Sequence, residues 1–215
     1  MAFPNGPDVA FIKRFAALIK GEARRGQRFV IAVGGGGLCR LLNEAVLRVG
    51  PVSKTEQDWL GIYVTRLNAR FLRAVLGASA KPILFDERFK IKSFGQHRIV
   101  VAAGWQPGWS TDFVAAQIAV EWQISQVVNL AKPSYVYTSN PDQDKTAKPI
   151  EQISWKDYLK IIPKQWTPGL NAPFDPVASR LAQKNKLAVI VAGGHDLANF
   201  KKILAGKKFC GTIIS

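Results

Sequence analysis

The chain has few of the residues on which disulfide scaffolds, metal centres and membrane spans depend. It contains only two cysteines, Cys39 and Cys210, which form no CxxC pair, and only two histidines. This set argues against a disulfide framework or a zinc site and fits a reducing compartment. No stretch approaches the about 18 apolar residues of a membrane helix, and residues 1–7 lack the regions of a signal peptide. We therefore expect a cytoplasmic protein with no membrane partner.

Acidic residues are also scarce. There are 15 Asp and Glu against 30 Lys and Arg, which gives a formal net charge of +15 at pH 7. The excess favours polyanionic partners such as nucleotides, nucleic acid or an acidic membrane face, and charge alone does not choose among them. The basic residues are scattered through helical patterns, without an aromatic-interleaved RNA-binding motif. A solvated basic surface is the simpler interpretation, so we expect no nucleic-acid partner.

Apolar runs bounded by turn residues alternate with segments of helical period. This pattern is typical of strand–helix units on a mostly parallel sheet, and a chain of this length with 47% hydrophobic residues can form one compact α/β unit. Strands are predicted at 28–33, 82–85, 98–103, 127–130, 135–138, 187–192 and 211–214. Helices are predicted from Asp8 to near Gly26, after residue 37 through Val46, at 55–76, at 113–124, after Ser154, at 177–184 and around 197–204. Residues 140–149 and 169–176 are expected to be irregular.

Four successive glycines follow the first predicted strand and form the first loop, residues 34–37. Glycines at a strand-to-helix junction let backbone N–H groups approach a phosphate, and the helix N-terminus adds a favourable partial charge. The chain contains no Walker A sequence, and Leu38 and Cys39 break a GxGxxG match. Anion binding and a merely tight turn both remain open. Arg40, one turn into the helix, could clamp a phosphate or form a surface salt bridge.

The helix predicted at 55–76 has two distinct faces. Its apolar face carries Leu60, Val64, Leu67 and Phe71. Nearly opposite lies a polar stripe, which consists of Asp58, Gly61, Thr65 and Asn68. The polar stripe could lie beneath a ligand, with Asp58 accepting hydrogen bonds from ribose hydroxyls and Gly61 allowing close approach, or it could be a polar seam against another helix.

The second loop, residues 104–112, follows another predicted strand and ends in Ser-Thr-Asp at a helix start. Hydroxyl and amide groups at such a start point toward one spot, and Asp112 lies near the positive end of the helix. An N-cap explains Thr111 or Asp112 alone. Two glycine-bearing loops after two parallel strands favour a shared phosphate pocket over two unrelated caps.

Five segments together resemble the UMP kinases of the amino acid kinase superfamily, especially the archaeal-type branch. They are VGGGGLCR at 33–40, DWLGIYVTRLNA at 58–69, GWQPGWSTD at 104–112, VYTSNP at 136–141 and DPVASRLA at 175–182. Their order and spacing agree with the family from Asp8 to the closing GTII. The resemblance implies a three-layer α/β/α fold, with a UMP-binding part at about 1–125 and an ATP-binding part at about 126–215. It further implies transfer of the ATP γ-phosphoryl group to UMP, giving UDP, with Mg²⁺ and usually a homohexamer.

The resemblance also implies which residues bind each nucleotide. For UMP these are Gly34, Gly35, Gly36, Arg40, Asp58, Gly61, Thr65, Gly104, Trp105, Gln106, Gly108 and Thr111. For ATP they are Gly35, Lys132, Tyr137, Asn140 and Pro141, and the catalytic roles fall to Lys132 and Asp112. The acceptor phosphate is already ionised at pH 7, so positioning and charge neutralisation suffice without a general base. We therefore expect no catalytic histidine, and we expect His97 and His195 at the surface.

The sequence departs from the family pattern at several positions. The family begins with a strand that ends in a Gly-Gly-Ser loop, and this sequence has no counterpart before its first helix. Ser134 and Asn140 stand where the family has aspartate, and Ala103 stands where the second loop usually has a leading glycine, which leaves fewer carboxylates for Mg²⁺. Two alternatives therefore stay open: a catalytically impaired nucleotide-binding homologue, or another small-molecule kinase of the superfamily.

Overall fold

The computed structural model describes residues 2–165 and 172–215, which divide into two compact units, Met1–Ala115 and Ala116–Ser215. The elements of the first unit are α1 (Val9–Arg24), β1 (Phe29–Ala32), α2 (Gly36–Val49), α3 (Lys54–Leu76), a 3-10 turn (Gly77–Ser79), β2 (Ile99–Ala102) and the start of α4 (Thr111–Glu121). The predicted helices and the strands at 28–33 and 98–103 are confirmed here to within a few residues.

Strands β1 and β2 pair in parallel, with Phe29 opposite Ile99 and Ala32 opposite Ala102. All four residues of β2 are fully buried, so this strand lies in the core of the unit. Parallel strands end at the same edge of a sheet, where ligands of open α/β folds bind. The first and second loops both leave from this edge, and the pairing therefore places them next to each other.

Local capping signals set where the helices begin. The Asp8 carboxylate accepts a hydrogen bond from the Phe11 amide at 2.9 Å, as predicted for the start of α1. Ser53 caps α3 in the same way through the Glu56 amide at 3.2 Å. These caps satisfy amides that have no partner within the helix.

The strand predicted at 82–85 is wrong. This segment forms no strand, and it contacts the sheet through a single bridge at Phe85, whose amide donates to the Val101 carbonyl at 2.9 Å. Pro82 has no amide to donate to a ladder, and Ile83 is 50% exposed. The segment therefore touches the edge of β2 without pairing along it.

Helix α3 turns its small and polar residues inward. Thr65 and Asn68 of the polar stripe are 7% and 5% exposed, whereas Leu67 and Phe71 of the apolar face are 60% and 39% exposed. The buried face of α3 therefore carries these two polar residues among the buried apolar residues Ile62, Val64, Leu72 and Leu76, whereas an amphipathic helix usually buries only its apolar residues. The buried polar groups require hydrogen-bonding partners, and the two loops supply them.

The second unit contains β3 (Gln126–Ala131), β4 (Val136–Tyr137), β5 (Pro149–Ile150), β6 (Gln152–Ile153), α5 (Trp155–Ile161), α6 (Pro176–Lys184), β7 (Ala188–Gly193), α7 (Leu197–Leu204) and β8 (Thr212–Ile214). One sheet has the order β3-β7-β8-β6, in which β7 and β8 are antiparallel and the other neighbours are parallel. The two short strands β4 and β5 pair antiparallel. The mostly parallel character predicted from the sequence is confirmed.

Most predicted elements of the second unit are also confirmed. Strands β5 and β6 were not predicted, because two-residue strands carry no recognisable period. Of the irregular segment predicted at 169–176, residues 169–171 lie outside the described residues. Pro176 begins α6 after the cap residue Asp175. Within residues 2–165 and 172–215, no helix has the length and apolar character needed to span a membrane.

Candidate functional site

The first loop is crossed closely by the residues that precede α1. Residues 2–8 form bends and no strand. The Gly37 amide donates to the Phe3 carbonyl at 2.9 Å. A Cβ atom at Gly36 would lie 2.1 Å from the Phe3 oxygen, and one at Gly37 would lie 1.8 Å from the Pro4 oxygen. Gly36 also has a φ of 64°, which favours glycine. This crossing therefore explains why positions 36 and 37 are glycine.

The polar stripe of α3 binds both loops. The Asn68 side-chain amide donates to the carbonyls of Gly34 and Gly35 at 3.0 and 3.1 Å. The Thr65 hydroxyl accepts from the Gly104 amide at 2.8 Å and donates to a carbonyl of its own helix. Of the two uses considered for this stripe, contact with another helix holds for Gly61, which packs against Cys39 of α2, whereas Thr65 and Asn68 bind the two loops. A position beneath a ligand stays a prediction.

The second loop is fixed at both ends. At its start, a Cβ atom at Gly104 would lie 2.9 Å from the Thr65 hydroxyl oxygen, so this glycine allows a close approach to α3. Farther along, the Gly108 amide donates to the Asp58 carboxylate at 2.8 Å. At its end, the Ser110 hydroxyl accepts from the Phe113 amide at 2.9 Å. The N-cap of α4 is therefore Ser110, and the assignment of this cap to Thr111 or Asp112 was wrong by one or two residues.

The two loops meet beside α3. A Cβ atom at Gly34 would lie 3.6 Å from the Thr111 hydroxyl, and one at Gly35 would lie 3.8 Å from the Thr65 methyl group. The predicted UMP-binding residues that the structure brings together are Gly34, Gly35, Asp58, Thr65, Gly104, Gly108 and Thr111. The result is a polar, glycine-lined corner between two strand ends and one helix.

Other predicted residues lie around this corner. Gly61 lies under Cys39, whose sulfur would be 3.1 Å from a Cβ atom at that position. Arg40 and Gln106 are exposed. Trp105 is 4% exposed, and its indole N–H donates to the Phe85 carbonyl at 2.9 Å. Buried Trp105 therefore anchors the second loop, whereas Arg40 and Gln106 leave their side chains accessible to a ligand.

Burial changes the acidity of two groups at this corner. It raises the pKa of the Asp58 carboxyl above its ordinary value, and the hydrogen bond from the Gly108 amide partly opposes this change. Burial also raises the pKa of the Cys39 thiol; the charge of Arg40 lowers it, and that of Asp58 raises it further. The thiol is therefore a poor nucleophile at neutral pH, and the carboxylate takes up a proton more readily than an exposed one.

In the second unit, the predicted ATP-binding residues follow β3. Lys132 is exposed just after this strand, and Asn140 and Pro141 are exposed in a turn after Tyr137 of β4. A Cβ atom at Gly193, which ends β7, would lie 2.6 Å from the Ser134 hydroxyl. Because β3 and β7 are parallel neighbours, their carboxyl ends form one edge of the sheet. His195 is exposed as expected, and His97 is half-buried.

Sequence reasoning missed two residues that organise the corner. Asn68 was placed in the polar stripe without a role, and Arg66 was counted among scattered basic residues. Arg66 lies one helical turn from both Ile62 and Ala69, which are 5% and 0% exposed. An arginine flanked by buried positions on a helix needs hydrogen-bonding partners. That spacing was the available signal.

Comparison with known proteins identifies the family of this chain. Residues 2–193 match the profile of the Amino acid kinase family. The uridylate kinase of Hyperthermus butylicus is 32% identical over 99% of this chain and 94% of its own length. The uridylate kinase of Methanocorpusculum labreanum is 31% identical over 96% and 88%.

Solved structures show the same likeness. The crystal structure of uridylate kinase from Archaeoglobus fulgidus superposes with a TM-score of 0.80 at 27% identity, over 97% of this chain and 94% of that one. The UMP kinase of Bacillus anthracis gives a TM-score of 0.79 at 22% identity, over 100% and 91%, which bears on the fold alone. The predicted α/β fold class is thereby confirmed, and the chain belongs to the amino acid kinase family.

Proposed function

We propose that this protein is a UMP kinase, which transfers the γ-phosphoryl group of ATP to UMP and gives UDP and ADP. The observation that carries the proposal is the attachment of both glycine loops to one polar stripe of α3. This corner offers backbone amides and a carboxylate to a small phosphorylated ligand. The relatives named uridylate kinase, similar over nearly the whole chain, supply the identity of the acceptor.

The acceptor site is proposed to lie within about residues 1–125. Amides of the first and second loops bind the UMP phosphate, with Gly36 shaping the turn, and the exposed Arg40 adds a bidentate charge. Asp58 keeps one carboxylate oxygen on the Gly108 amide and accepts ribose hydroxyls through the other. Gly61, Thr65, Trp105, Gln106 and Thr111 complete the acceptor set.

The donor site is proposed to lie within about residues 126–215. Exposed Lys132 neutralises charge on the ATP phosphates, and Tyr137, Asn140 and Pro141 contact the nucleotide. Asp112, in the first turn of α4, is the second proposed catalytic residue. The UMP phosphate needs no deprotonation to act as nucleophile, so catalysis rests on positioning and charge neutralisation.

Magnesium fits as part of the donor substrate. In the described parts of the chain, no three His, Cys, Asp or Glu side chains are grouped to hold a metal ion. Mg²⁺ usually keeps several waters and binds through substrate phosphates with one or two carboxylates. We therefore propose that Mg²⁺ arrives on the phosphates of ATP.

A homo-oligomer is also proposed, with the hexamer of related enzymes as the expected form and the cytoplasm as its location. Helix α2 has no buried residue among those described, and it exposes Leu47 and Val49 by 51% and 90%. Tyr63 and Leu67 of α3 are 61% and 60% exposed. Large apolar side chains exposed on two helices of one unit favour a protein interface at these helices. Sedimentation analysis of the wild type and Leu67→Glu tests it, with a smaller species expected for the variant.

The activity is tested by incubating the purified protein with MgATP and UMP, CMP or AMP and separating the nucleotide products by chromatography. We expect UDP formation in preference to the other diphosphates. Arg40→Gln should raise the KM for UMP about tenfold, because a charged bidentate contact is lost. Arg48→Gln, on the same exposed face of α2, is the matched control. UMP binding without turnover would instead identify a nucleotide-binding homologue, and absence of both would reject the proposal.

A further inference from the structure

The guanidinium of Arg66 holds the beginning of the second loop by hydrogen bonds to its backbone carbonyls. Its Nε donates to the Gly104 carbonyl at 3.2 Å, and one terminal nitrogen donates to the carbonyls of Trp105 and Asp86 at 3.1 and 2.9 Å. The adjacent Thr65 hydroxyl accepts from the Gly104 amide at 2.8 Å. Two consecutive residues of α3 therefore fix both polar groups of Gly104.

These contacts determine which way the loop amides face. In a planar trans peptide, the C=O and the following N–H point in opposite directions. The carbonyls of Gly104 and Trp105 point toward Arg66. The amides of Trp105 and Gln106 therefore point away from the Arg66 guanidinium, to the opposite side of the loop. Successive amides that face one way form a concave site for an anion.

We infer that Arg66 is a positioning residue for the phosphorylated acceptor: it orients the Trp105 and Gln106 amides for a phosphate group without touching the ligand itself. The inference rests on the proposed function for the identity of the acceptor. It assigns a role to a residue that is half-buried within 2.9 to 3.2 Å of three backbone carbonyls.

The chemistry of arginine suits this role better than that of lysine. A planar guanidinium presents five N–H donors in a rigid fork, so it can hold several carbonyls in fixed relative positions. A lysine ammonium keeps the charge but is a flexible point donor. Arg66→Lys should therefore retain part of the effect, whereas Arg66→Gln keeps neither the charge nor the fork.

The matched control is Arg98→Gln. Arg98 also donates to a backbone carbonyl, that of Gly26 at 2.8 Å, and it lies at the opposite end of β2 from the second loop. Arg98→Gln therefore also removes a guanidinium–carbonyl hydrogen bond from the first unit, but at a position away from the second loop. A general loss of stability would appear in both variants.

The first measurement is hydrogen–deuterium exchange of the whole protein without nucleotide. In Arg66→Gln, peptides covering the second loop should exchange about tenfold faster or more, since each lost bond to a charged donor is worth a factor of this order. Arg66→Lys should be intermediate, and Arg98→Gln should leave this loop unchanged. Unchanged exchange of the second loop in Arg66→Gln overturns the inference, whatever the protein does with UMP.

The second measurement is calorimetric binding of UMP and, separately, of ATP. Arg66→Gln should weaken UMP binding about tenfold or more while ATP binding changes less than about twofold, because only the acceptor amides are disturbed. Equal weakening of both nucleotides, or faster loop exchange with unchanged UMP affinity, overturns the inference. A wild-type protein that binds no UMP would reject the proposed function itself, and it would also remove the acceptor role assigned to Arg66.

Discussion

The first and second loops occupy equivalent places in the chain, but they are fixed in different ways. Each follows a parallel strand and opens a helix, and each is tied to the polar stripe of α3. The first loop is packed against backbone, because Gly36 and Gly37 lie directly on the carbonyls of Phe3 and Pro4. The second loop is held mainly by side chains of α3. Glycine is thus required by close approach to backbone in the first loop and by close approach to a side chain of α3 at Gly104 in the second.

The largest expected effect comes from reversing the hydrogen bonds of Asn68. Asn68→Asp replaces a donor to two carbonyls by an oxygen atom that faces them at a buried position. We expect a loss of about 3 kcal/mol in the free energy of unfolding, because a buried group is left repelled and unsatisfied. Asn68→Ala, which only removes the donor, should cost about 1 to 2 kcal/mol. Urea unfolding measures both.

Asn185→Asp serves as the control for this reversal. Asn185 also donates to a helix carbonyl, that of Leu181 at 2.8 Å, but it is exposed at the end of α6. Its replacement should change stability by less than about 0.5 kcal/mol. If Asn68→Asp is no more destabilising than Asn185→Asp, the first loop does not depend on α3.

A second pair of substitutions separates backbone packing from side-chain packing. Gly37→Ala places a Cβ atom 1.8 Å from the Pro4 oxygen, so residues 3 and 4 must move and Phe3, now 6% exposed, must leave its site. Exposure of one large apolar side chain predicts a loss of about 2 kcal/mol. Gly104→Ala meets the Thr65 hydroxyl instead, which a side-chain rotation relieves in part, so about 1 kcal/mol is expected.

Gly21→Ala provides the reference for this pair. Gly21 lies inside α1, and a Cβ atom there would meet nothing within 4 Å. Alanine in a helix interior should stabilise the protein by up to about 1 kcal/mol. Thermal unfolding should therefore give the lowest midpoint temperature for Gly37→Ala, a higher one for Gly104→Ala and the highest for Gly21→Ala. A lower midpoint for Gly104→Ala than for Gly37→Ala would contradict the difference between the loops.

The sequence reveals the strands, loops and helices of the site but not the bonds that join them. Glycine runs, cap residues and helical period are local signals, and they predicted both loops and α3. The partners of Asn68 lie 34 and 33 residues away, and those of Arg66 lie 38, 20 and 39 residues away. No local pattern encodes which carbonyls meet these side chains. The exact cap of α4 was also missed, because Ser110 is followed by two other cap-competent residues.

A third prediction concerns pH and the Asp58–Gly108 contact. Burial raises the pKa of this carboxyl, so protonation begins at a higher pH than for an exposed aspartate, and protonation removes the charge that accepts the Gly108 amide. The KM for UMP should therefore rise about tenfold as pH falls through this raised pKa, with little change for ATP. Asp58→Asn should lack this pH dependence, and Glu56→Gln, exposed on the same helix, should keep it.

The same carboxyl should affect UMP binding and protein stability in opposite directions: as pH falls, UMP binding weakens whereas the contribution of Asp58 to the free energy of unfolding improves. Because folding raises its pKa, the folded state binds the proton more tightly than the unfolded state does. The contribution of Asp58 to stability therefore improves as pH falls through the raised pKa, unlike that of a salt-bridged carboxylate. A KM for UMP that stays constant over this range, or an equal pH dependence in Asp58→Asn, would separate Asp58 from acceptor binding.

The smallest expected effect distinguishes the two cysteines. Cys39 lies half-buried against Gly35 and Gly61 of the corner, and burial raises the pKa of its thiol, whereas Cys210 is exposed. Since the thiolate is the reactive form, iodoacetamide at neutral pH should label Cys210 first and Cys39 several-fold more slowly, with the rate at Cys39 rising steeply at higher pH. Mass spectrometry of the two peptides measures this. Labelling of both cysteines at the same rate would show that the corner opens readily, and the difference in rate should vanish in urea, where burial is lost.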